Sequence, residues 1–208
     1  MHIVSDNRDA VLESDDSTTS VLTKEDLALG YRLLQSIEGE NPDRPGLVET
    51  PARFMKAFKE WTGGYLEDPR AVLKTFEDGA EGVSEMVMVR SIPVYSLCEH
   101  HMAAIFGVAH VGYIPDGKIV GLSKLPRVVN IFARRLQVQE RLTNEIADAI
   151  DEVLRPKGVA VVLDCRHMCM ESRGVHIHGE ASTRTAARRG VFTDNLRYFH
   201  EFLPQIKP

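Results

Sequence analysis

Two β-rich runs that follow each other closely constrain the fold more than any other feature of this chain. They read MVMVRSIPVYSL (86–97) and AIFGVAHVGYI (104–114), and the turn-forming sequence PDG (115–117) ends the second run. Runs rich in β-branched and aromatic residues that end in turn sequences are typical of antiparallel strands. GVAVVLD (158–164) and STRTAARRGVF (182–192) predict two further strands near the end of the chain.

Two amphipathic helices are predicted between these pairs of strands. Ser123 is expected to cap the first helix, whose apolar residues are Leu125, Val128, Val129 and Phe132. The second helix follows Leu136, and its inward-facing residues are Val138, Leu142, Ile146, Ile150 and Val153. This order predicts an α+β fold, a four-stranded antiparallel sheet with two helices on one face. Because the other face and the edges of such a sheet stay uncovered, we expect the chain to self-associate.

The N-terminal part of the chain has a different composition. Residues 1–22 are polar and acidic with few large apolar side chains, which predicts a mobile tail. Thr23 followed by Asp26 is typical of a helix N-cap and predicts that a helix begins there. We therefore expect an N-terminal helical segment over residues 23–66 and the main domain over residues 67–208.

A second N-terminal helix is predicted to begin at Thr50 and Pro51, an N-cap and a first-turn proline. Its apolar residues form one face that we expect to be buried: Phe54, Ala57, Phe58 and Trp61. Arg53 and Lys56 lie one turn apart outside this face. A solvated basic edge is the ordinary explanation for such a pair.

Charge and hydropathy exclude several classes of function. The formal net charge is −5, and Lys and Arg are spread along the chain, which argues against binding to nucleic acid or to membrane surfaces. No apolar run approaches the ~20 residues that cross a bilayer, and the first residues lack a signal-peptide pattern, so we expect a cytoplasmic protein. Because cytosolic thiols are kept reduced, the three cysteines suit metal binding or chemistry better than disulfides.

The cysteines stand beside histidines in two short clusters. Cys98, His100 and His101 follow a predicted strand in the sequence CEHH, and a tight turn there can present a thiol and an imidazole to one ion. The second cluster is CRHMC (165–169), where either Cys165 or Cys169 could add a third ligand if the strand continued that far. The structural alternative is a small buried thiol beside a hydrogen-bonded histidine.

Thiolate and imidazole ligands select Zn²⁺ among the common ions. Three protein ligands leave the fourth tetrahedral position open, which is typical of catalytic rather than structural zinc. Histidines not needed as ligands, His100 and His167, would then be available to move protons. These residues therefore predict hydrolysis at an electrophilic carbon.

An anion-binding cluster is predicted at the start of the first main-domain helix. Ser123, Lys124 and Arg127 fall in its first turn, where unpaired N–H groups and the helix dipole already favour negative charge. Cations there oppose the dipole unless an anion lies between them, so they favour a phosphate ligand. Further cations for a triphosphate could come from Arg53, Lys56 and Arg173. The alternative is solvated charge.

Gln139 and Glu140 begin the next predicted helix. A carboxylate that accepts two N–H bonds from a guanine edge selects guanine over adenine. Glu140 is equally consistent with a carboxylate that stabilises a helix N-terminus.

These motifs together resemble GTP cyclohydrolase I. The family's signature stretches appear as CEHH (98–101), IPDGKIVGLSK (114–124), ARRLQVQERLT (133–143) and HMCMESRGV (167–175), and ETPAR (49–53) adds the N-terminal signature. The resemblance runs from about residue 25 to 195. It implies the tunnelling fold, in which four-stranded units join into a barrel, and a toroidal homodecamer with active sites between subunits.

The resemblance also implies the roles of the site residues. It assigns the Zn²⁺ ligands to Cys98, His101 and Cys169, and so selects Cys169 over Cys165. It makes His167 the proton donor to the imidazole nitrogen of GTP, with His100 assisting and Ser123 placed for the ribose rearrangement. It assigns guanine to Glu140 with Gln139 nearby, and the triphosphate to Arg53, Lys56, Lys124, Arg127 and Arg173.

The activity implied by the resemblance is hydrolysis of the imidazole ring of GTP with release of formate. The product is 7,8-dihydroneopterin triphosphate, made in the first step of tetrahydrofolate and pterin biosynthesis. The chain departs from the family pattern at His176 and His178, which we interpret as surface substitutions. The alternatives are a specialised paralogue that serves deazapurine or other pterin-like biosynthesis, a pterin synthase of the same fold, and a non-catalytic zinc-stabilised binding module.

Overall fold

The computed structural model describes residues 22–177 and 181–206. The predicted N-terminal tail, apart from its last residue, lies outside the described residues, and so does His178. The chain divides into two compact units, Met1–Glu60 and Trp61–Pro208.

The described part of the first unit is helical, with α1 at Lys24–Gln35 and α2 beginning at Thr50 and ending at Trp61. The predicted capping of α1 is confirmed, because Asp26 N–H donates to Thr23 Oγ1 at 3.1 Å and Thr23 N–H donates to the Asp26 carboxylate at 2.8 Å. The two helices meet closely at Gly30, where an added Cβ would lie 2.9 Å from the backbone of Pro51. Only glycine fits this contact without a shift of the backbone.

The predicted burial of the apolar face of α2 is wrong for the described chain. Phe54 and Trp61 are 37% and 48% exposed, and Phe54 stacks on Phe58 with ring centroids 5.9 Å apart. The buried residues of α2 are Pro51 and Met55, because the Pro51 side of this helix meets α1. Helical spacing identifies an apolar face but not the surface that covers it.

The second unit is built on an antiparallel sheet, as predicted. Its four long strands are β2 (Val87–Cys98), β3 (Ala104–Ile114), β6 (Gly158–His167) and β7 (Thr183–Gly190). A two-residue strand, β5 (Leu136–Gln137), pairs in parallel with the end of β2, so the order is β5-β2-β3-β6-β7. A separate two-stranded ribbon joins β1 (Thr75–Phe76) to β4 (Ile119–Val120).

Two helices cover one face of this sheet, which confirms the predicted α+β arrangement. They are α3 (Lys124–Ala133) and α4 (Gln139–Leu154). Val128, Ile146 and Val161 are fully buried in the core between the helices and the strands. None of the described helices is long and apolar enough to cross a membrane.

The C-terminal residues cover part of the other sheet face, which the sequence did not predict. After a short helix, α5 (Met168–Glu171), and β7, the described chain ends with α6 (Val191–Asp194), α7 (Leu196–Phe202) and a 3-10 turn (Leu203–Ile206). Phe192 and Phe202 are fully buried against Ala160 and Val162. A Cβ at Gly112 would lie 2.8 Å from the Phe202 ring, so the aromatic side chain packs directly on the strand backbone.

Strand register places the functional motifs at opposite ends of the sheet. Ile105 pairs with His167 at one end, which we call the thiol end because Cys98 and Cys169 lie there. Tyr113 lies near the other end, eight residues further along β3, or about 26 Å at the usual strand rise. The backbone N–H of Val120 donates to the Tyr113 hydroxyl at 3.2 Å, so the residues that lead into α3 belong to this far end.

Candidate metal centre and active site

A tight turn after β2 brings two of the predicted ligands together. Cys98 N–H donates to Ala103 O at 2.8 Å, and Met102 N–H donates to Cys98 O at 2.7 Å. Met102 adopts a left-handed φ of 51°, which closes the turn. As a result the His101 Nδ1 atom lies 3.9 Å from Cys98 Sγ, and His100 Nδ1 lies 3.8 Å from the same sulfur.

The third predicted ligand lies on α5, immediately after β6. The ligand atoms of Cys98, His101 and Cys169 all lie within 4.8 Å of one another. Among the described residues, no other group of three or more His, Cys, Asp or Glu side chains has spacing that would suit a metal ion. The strand does not continue as far as Cys169, which was the condition for strand alternation to present this thiol: β6 ends at His167, and a helical turn carries Cys169.

Cys165 is excluded from this group by its position within β6. Its side chain is buried in the helix-facing core, and burial raises the pKa of the Cys165 thiol to about 12. A neutral thiol in an apolar core behaves as a small hydrophobic side chain. The candidate ligand group of the described residues therefore contains Cys169 and not Cys165, the two thiols that spacing alone could not separate.

The cluster has the donor chemistry that a zinc ion requires. Two thiols and an imidazole are soft to borderline ligands, and zinc binds such sets in tetrahedral geometry. Burial and the adjacent Cys98 sulfur both raise the pKa of Cys169, while the charge of Arg173 lowers it. A bound cation would favour both thiolates, so the donor set fits the metal that the sequence predicts.

His167 lies beside this cluster and is held by the buried side chain of Gln139. The His167 Nε2 atom lies 2.7 Å from Gln139 Oε1. Burial lowers the pKa of His167, while the carboxylates of Glu140 and Glu171 act in the opposite direction. Glu140 lies in the first turn of α4, as predicted, and is exposed.

A cavity of about 190 Å³ opens next to His167. Its walls come from the end of β6, α5, the residues between α5 and β7, and the first residue of β7. They consist of His167, Met170, Glu171, Ile177, Ala181, Ser182 and Thr183. The proposed proton-transfer residue therefore borders a space that a small ligand can enter.

An ion pair next to the candidate ligand group of Cys98, His101 and Cys169 was not predicted from the sequence. Arg141 of α4 pairs with Glu99, which follows Cys98 directly. Arg141 Nε also donates to Gln137 Oε1 at 3.0 Å, and Glu99 N–H donates to Gln137 O at 3.0 Å. Glu99 lies in the motif CEHH and Arg141 in ARRLQVQERLT, but the spacing of these motifs in the sequence does not predict that the two side chains meet.

The predicted anion-binding residues are not all at the thiol end. Ser123, Lys124 and Arg127 lie at the start of α3, which belongs to the far end of the sheet. Arg173 lies at the thiol end, where its charge acts on Cys169. The expected cap is wrong in one respect, because Ser123 precedes α3 but its side chain makes no capping hydrogen bond.

The two remaining predicted cations lie on α2 in the first unit. Arg53 and Lys56 are both exposed, and Arg53 forms an ion pair with Glu49 one turn earlier. This i,i+4 pair is solvent-exposed, so its contribution to stability is small, about 0.3–0.5 kcal/mol. A polyanion can therefore compete for the guanidinium at little cost.

Comparison with known proteins places this geometry in a family context. A profile of the family described as GTP cyclohydrolase I matches residues 30–207. Proteins named GTP cyclohydrolase 1 from Janthinobacterium sp. and Nitrosospira multiformis are 58% and 57% identical to this chain over the matched region. That region makes up 83% of this chain, and 87% and 89% of the two relatives. The protein of the same name from Corynebacterium glutamicum is 51% identical over 91% of this chain and 92% of its own length.

Proposed function

The chain belongs to the GTP cyclohydrolase I family, and from this premise we propose the reaction and the residues that perform it. The enzyme hydrolyses the imidazole ring of GTP, releases formate and forms 7,8-dihydroneopterin triphosphate, the first step of tetrahydrofolate and pterin biosynthesis. The observation that carries the proposal is the gathering of Cys98, His101 and Cys169 within 4.8 Å, next to the cavity that His167 lines. We propose that this reaction takes place in the cytoplasm.

Cys98, His101 and Cys169 hold a Zn²⁺ ion in this proposal. Three protein ligands leave one coordination position for water or substrate, and the ion supplies Lewis-acid activation at neutral pH. The CEHH turn carries Cys98 and His101, and α5 carries Cys169. His100, whose side chain is 63% exposed beside the same turn, assists with proton movement.

His167 is the proposed proton donor to the imidazole nitrogen of GTP. Opening a ring C–N bond by water requires a proton on the departing nitrogen, and an imidazole can supply it near neutral pH. Glu140 at the start of α4 accepts the guanine N–H groups, and Gln139 lies next to it. This pairing discriminates against adenine, which presents the opposite hydrogen-bonding pattern.

The triphosphate is bound by Arg53, Lys56, Lys124, Arg127 and Arg173, and Ser123 assists the ribose rearrangement. Ser123, Lys124 and Arg127 lie at the start of α3, whereas β5, which follows the other end of this helix about 15 Å away, pairs with β2 beside Cys98. A neighbouring copy supplies the α3 cations. In this proposal, which follows the family resemblance, the chain self-associates into a barrel and a toroidal homodecamer, with the catalytic domain at 67–208 and a helical extension at 23–66.

Three single variants test the assignment of roles. Cys169→Ser is expected to lose zinc and activity, whereas His167→Ser is expected to keep zinc and GTP binding but to lose ring opening. Cys165→Ser serves as the matched control, since its thiol lies in the core and it should keep zinc. Zinc content by mass spectrometry and GTP consumption are measured for each variant. Full activity of both Cys169→Ser and His167→Ser would overturn the proposal.

A further inference from the structure

The buried amide of Gln139 has only one orientation that satisfies its neighbours. Its Nε2 end lies 2.8 Å from Thr183 O, 3.2 Å from Leu163 O and 3.0 Å from Thr185 Oγ1. Two of these neighbours are carbonyl oxygens, which only accept hydrogen bonds. An amide oxygen placed at this end would face two acceptors without a proton between them. The NH₂ group therefore occupies this end, and Oε1 faces His167.

The neighbouring hydroxyl groups agree with this orientation. Thr143 Oγ1 donates to Gln139 O at 2.7 Å and lies 2.6 Å from Thr185 Oγ1. Since a hydroxyl has one proton, Thr185 must donate its own proton to Thr143 Oγ1. Thr185 Oγ1 then accepts from Gln139 Nε2–H. These hydrogen bonds thus have a defined direction, from the Gln139 side-chain NH₂ through Thr185 and Thr143 to the backbone carbonyl of Gln139.

The orientation of the Gln139 amide decides which ring nitrogen of His167 carries the proton. Oε1 of Gln139 is an acceptor, so the contact of 2.7 Å with His167 Nε2 requires a proton on Nε2. The partner of one ring nitrogen decides which tautomer a histidine adopts. In the neutral ring, Nδ1 is therefore unprotonated and carries the lone pair.

We propose that Gln139 is a positioning residue that holds the His167 ring through Nε2–H and thereby reserves Nδ1 for proton exchange with the substrate. This inference rests on the proposed role of His167. Proton exchange at Nδ1 then leaves the hydrogen bond from Nε2–H to Gln139 Oε1 in place.

Gln139 is suited to this task because it does not move easily. Its side chain is 1% exposed, and its amide bridges the ends of β6 and β7 while its backbone begins α4. A ring held by such a group keeps one orientation toward the cavity, which satisfies the geometric demand on a proton donor. Guanine recognition then depends on Glu140 rather than on the Gln139 side chain.

The decisive experiment observes the ring directly. In full-length protein labelled with ¹⁵N-histidine, nitrogen-15 NMR is expected to show the His167 proton on Nε2, protected from exchange with water. The His167 signals are assigned by their absence in His167→Asn. Gln139→Met, which keeps the length of the side chain but neither polar group, should lose the protected Nε2–H signal. Gln137→Met is the matched control, because it removes another buried glutamine amide and should leave that signal in place.

Kinetics provide a second readout that a merely structural role would not give. For Gln139→Met we expect kcat to fall by about 10- to 100-fold, the range for loss of a partner that orients a site histidine, with little change in KM for GTP. A His167 proton on Nδ1 in the unaltered protein would overturn the inference, as would a protected Nε2–H that survives Gln139→Met. The NMR result needs no turnover of GTP, so it stands even if the proposed reaction fails.

Discussion

Arg141 and Glu99 form an ion pair that ties the first turns of α4 to the turn between Cys98 and His101. The Arg141 guanidinium also donates to Gln137 Oε1 and to Leu136 O, both on β5. Glu99, which lies between the proposed zinc ligands Cys98 and His101, is therefore held by α4 and, through Arg141, by β5. This anchoring orients the ligand turn before a metal binds.

The first prediction concerns metal affinity. Arg141→Met should weaken zinc binding by about 10- to 100-fold, because partners beyond the ligands orient them and typically have effects of this size. Competition with a coloured zinc chelator measures the dissociation constant without any need for turnover.

Arg70→Met is the matched control for this experiment. Arg70 forms an exposed ion pair with Glu152, near the other end of α4 and about 16 Å along the helix from Arg141. Equal zinc affinities of Arg141→Met and Arg70→Met would show that the ion pair with Glu99 does not orient the site.

The second prediction separates the cysteines by reactivity. Cys169 should be alkylated by iodoacetamide in the zinc-free native protein and protected when zinc is added, because the thiol is partly exposed and becomes a ligand. Cys165 should stay unlabelled in both states, since burial raises its pKa to about 12 and blocks access. Mass spectrometry of peptides gives the extent of labelling at each site. Native labelling of Cys165 as fast as Cys169 would contradict the assignment.

Sequence patterns predicted the sheet and its two covering helices, because each depends on local spacing. Alternation and turn sequences mark strands such as β3, and a 3.6-residue repeat marks helices such as α4. Thr23 with Asp26 is a local cap whose two bonds form within one turn. The family motifs then selected Cys169, which spacing alone could not separate from Cys165.

Features that depend on contacts between distant residues could not be predicted in this way. The meeting of Arg141 with Glu99 and of Gln139 with His167 depends on the strand register and on where β6 ends. The burial of Phe202 against the sheet depends on which face the C-terminal helices cover. A periodic pattern states which side of an element is apolar, but not what lies opposite.

The third prediction concerns stability against acid. His110 is 5% exposed on β3, and its Nδ1 accepts a hydrogen bond of 3.3 Å from Ser91 N–H. Burial lowers the pKa of His110, the charges of Arg184 and Arg90 act in the same direction, and Asp164 opposes them. The unfolded chain, with a histidine pKa of about 6.5, therefore binds the proton more readily than the folded chain.

The stabilising contribution of neutral His110 is thus complete above about pH 6.5 and is lost as the pH falls through the lower folded-state pKa. His110→Gln removes the titration and keeps an acceptor for Ser91. Urea unfolding at pH 7.5 and 5.5, at one protein concentration, should show a smaller loss of stability on acidification in His110→Gln than in the unaltered protein. The same loss in both proteins would contradict the assignment of this acid sensitivity to His110.

The central claim is that the cluster of Cys98, His101 and Cys169 serves the hydrolysis of GTP, and product analysis tests it most directly. Folded, zinc-loaded protein is incubated with GTP and, separately, with 7,8-dihydroneopterin triphosphate. We predict that GTP is converted to 7,8-dihydroneopterin triphosphate with release of formate in equal molar amount, while the pterin substrate is left unchanged. Intact GTP without formate, or conversion of the pterin triphosphate instead, would contradict the account.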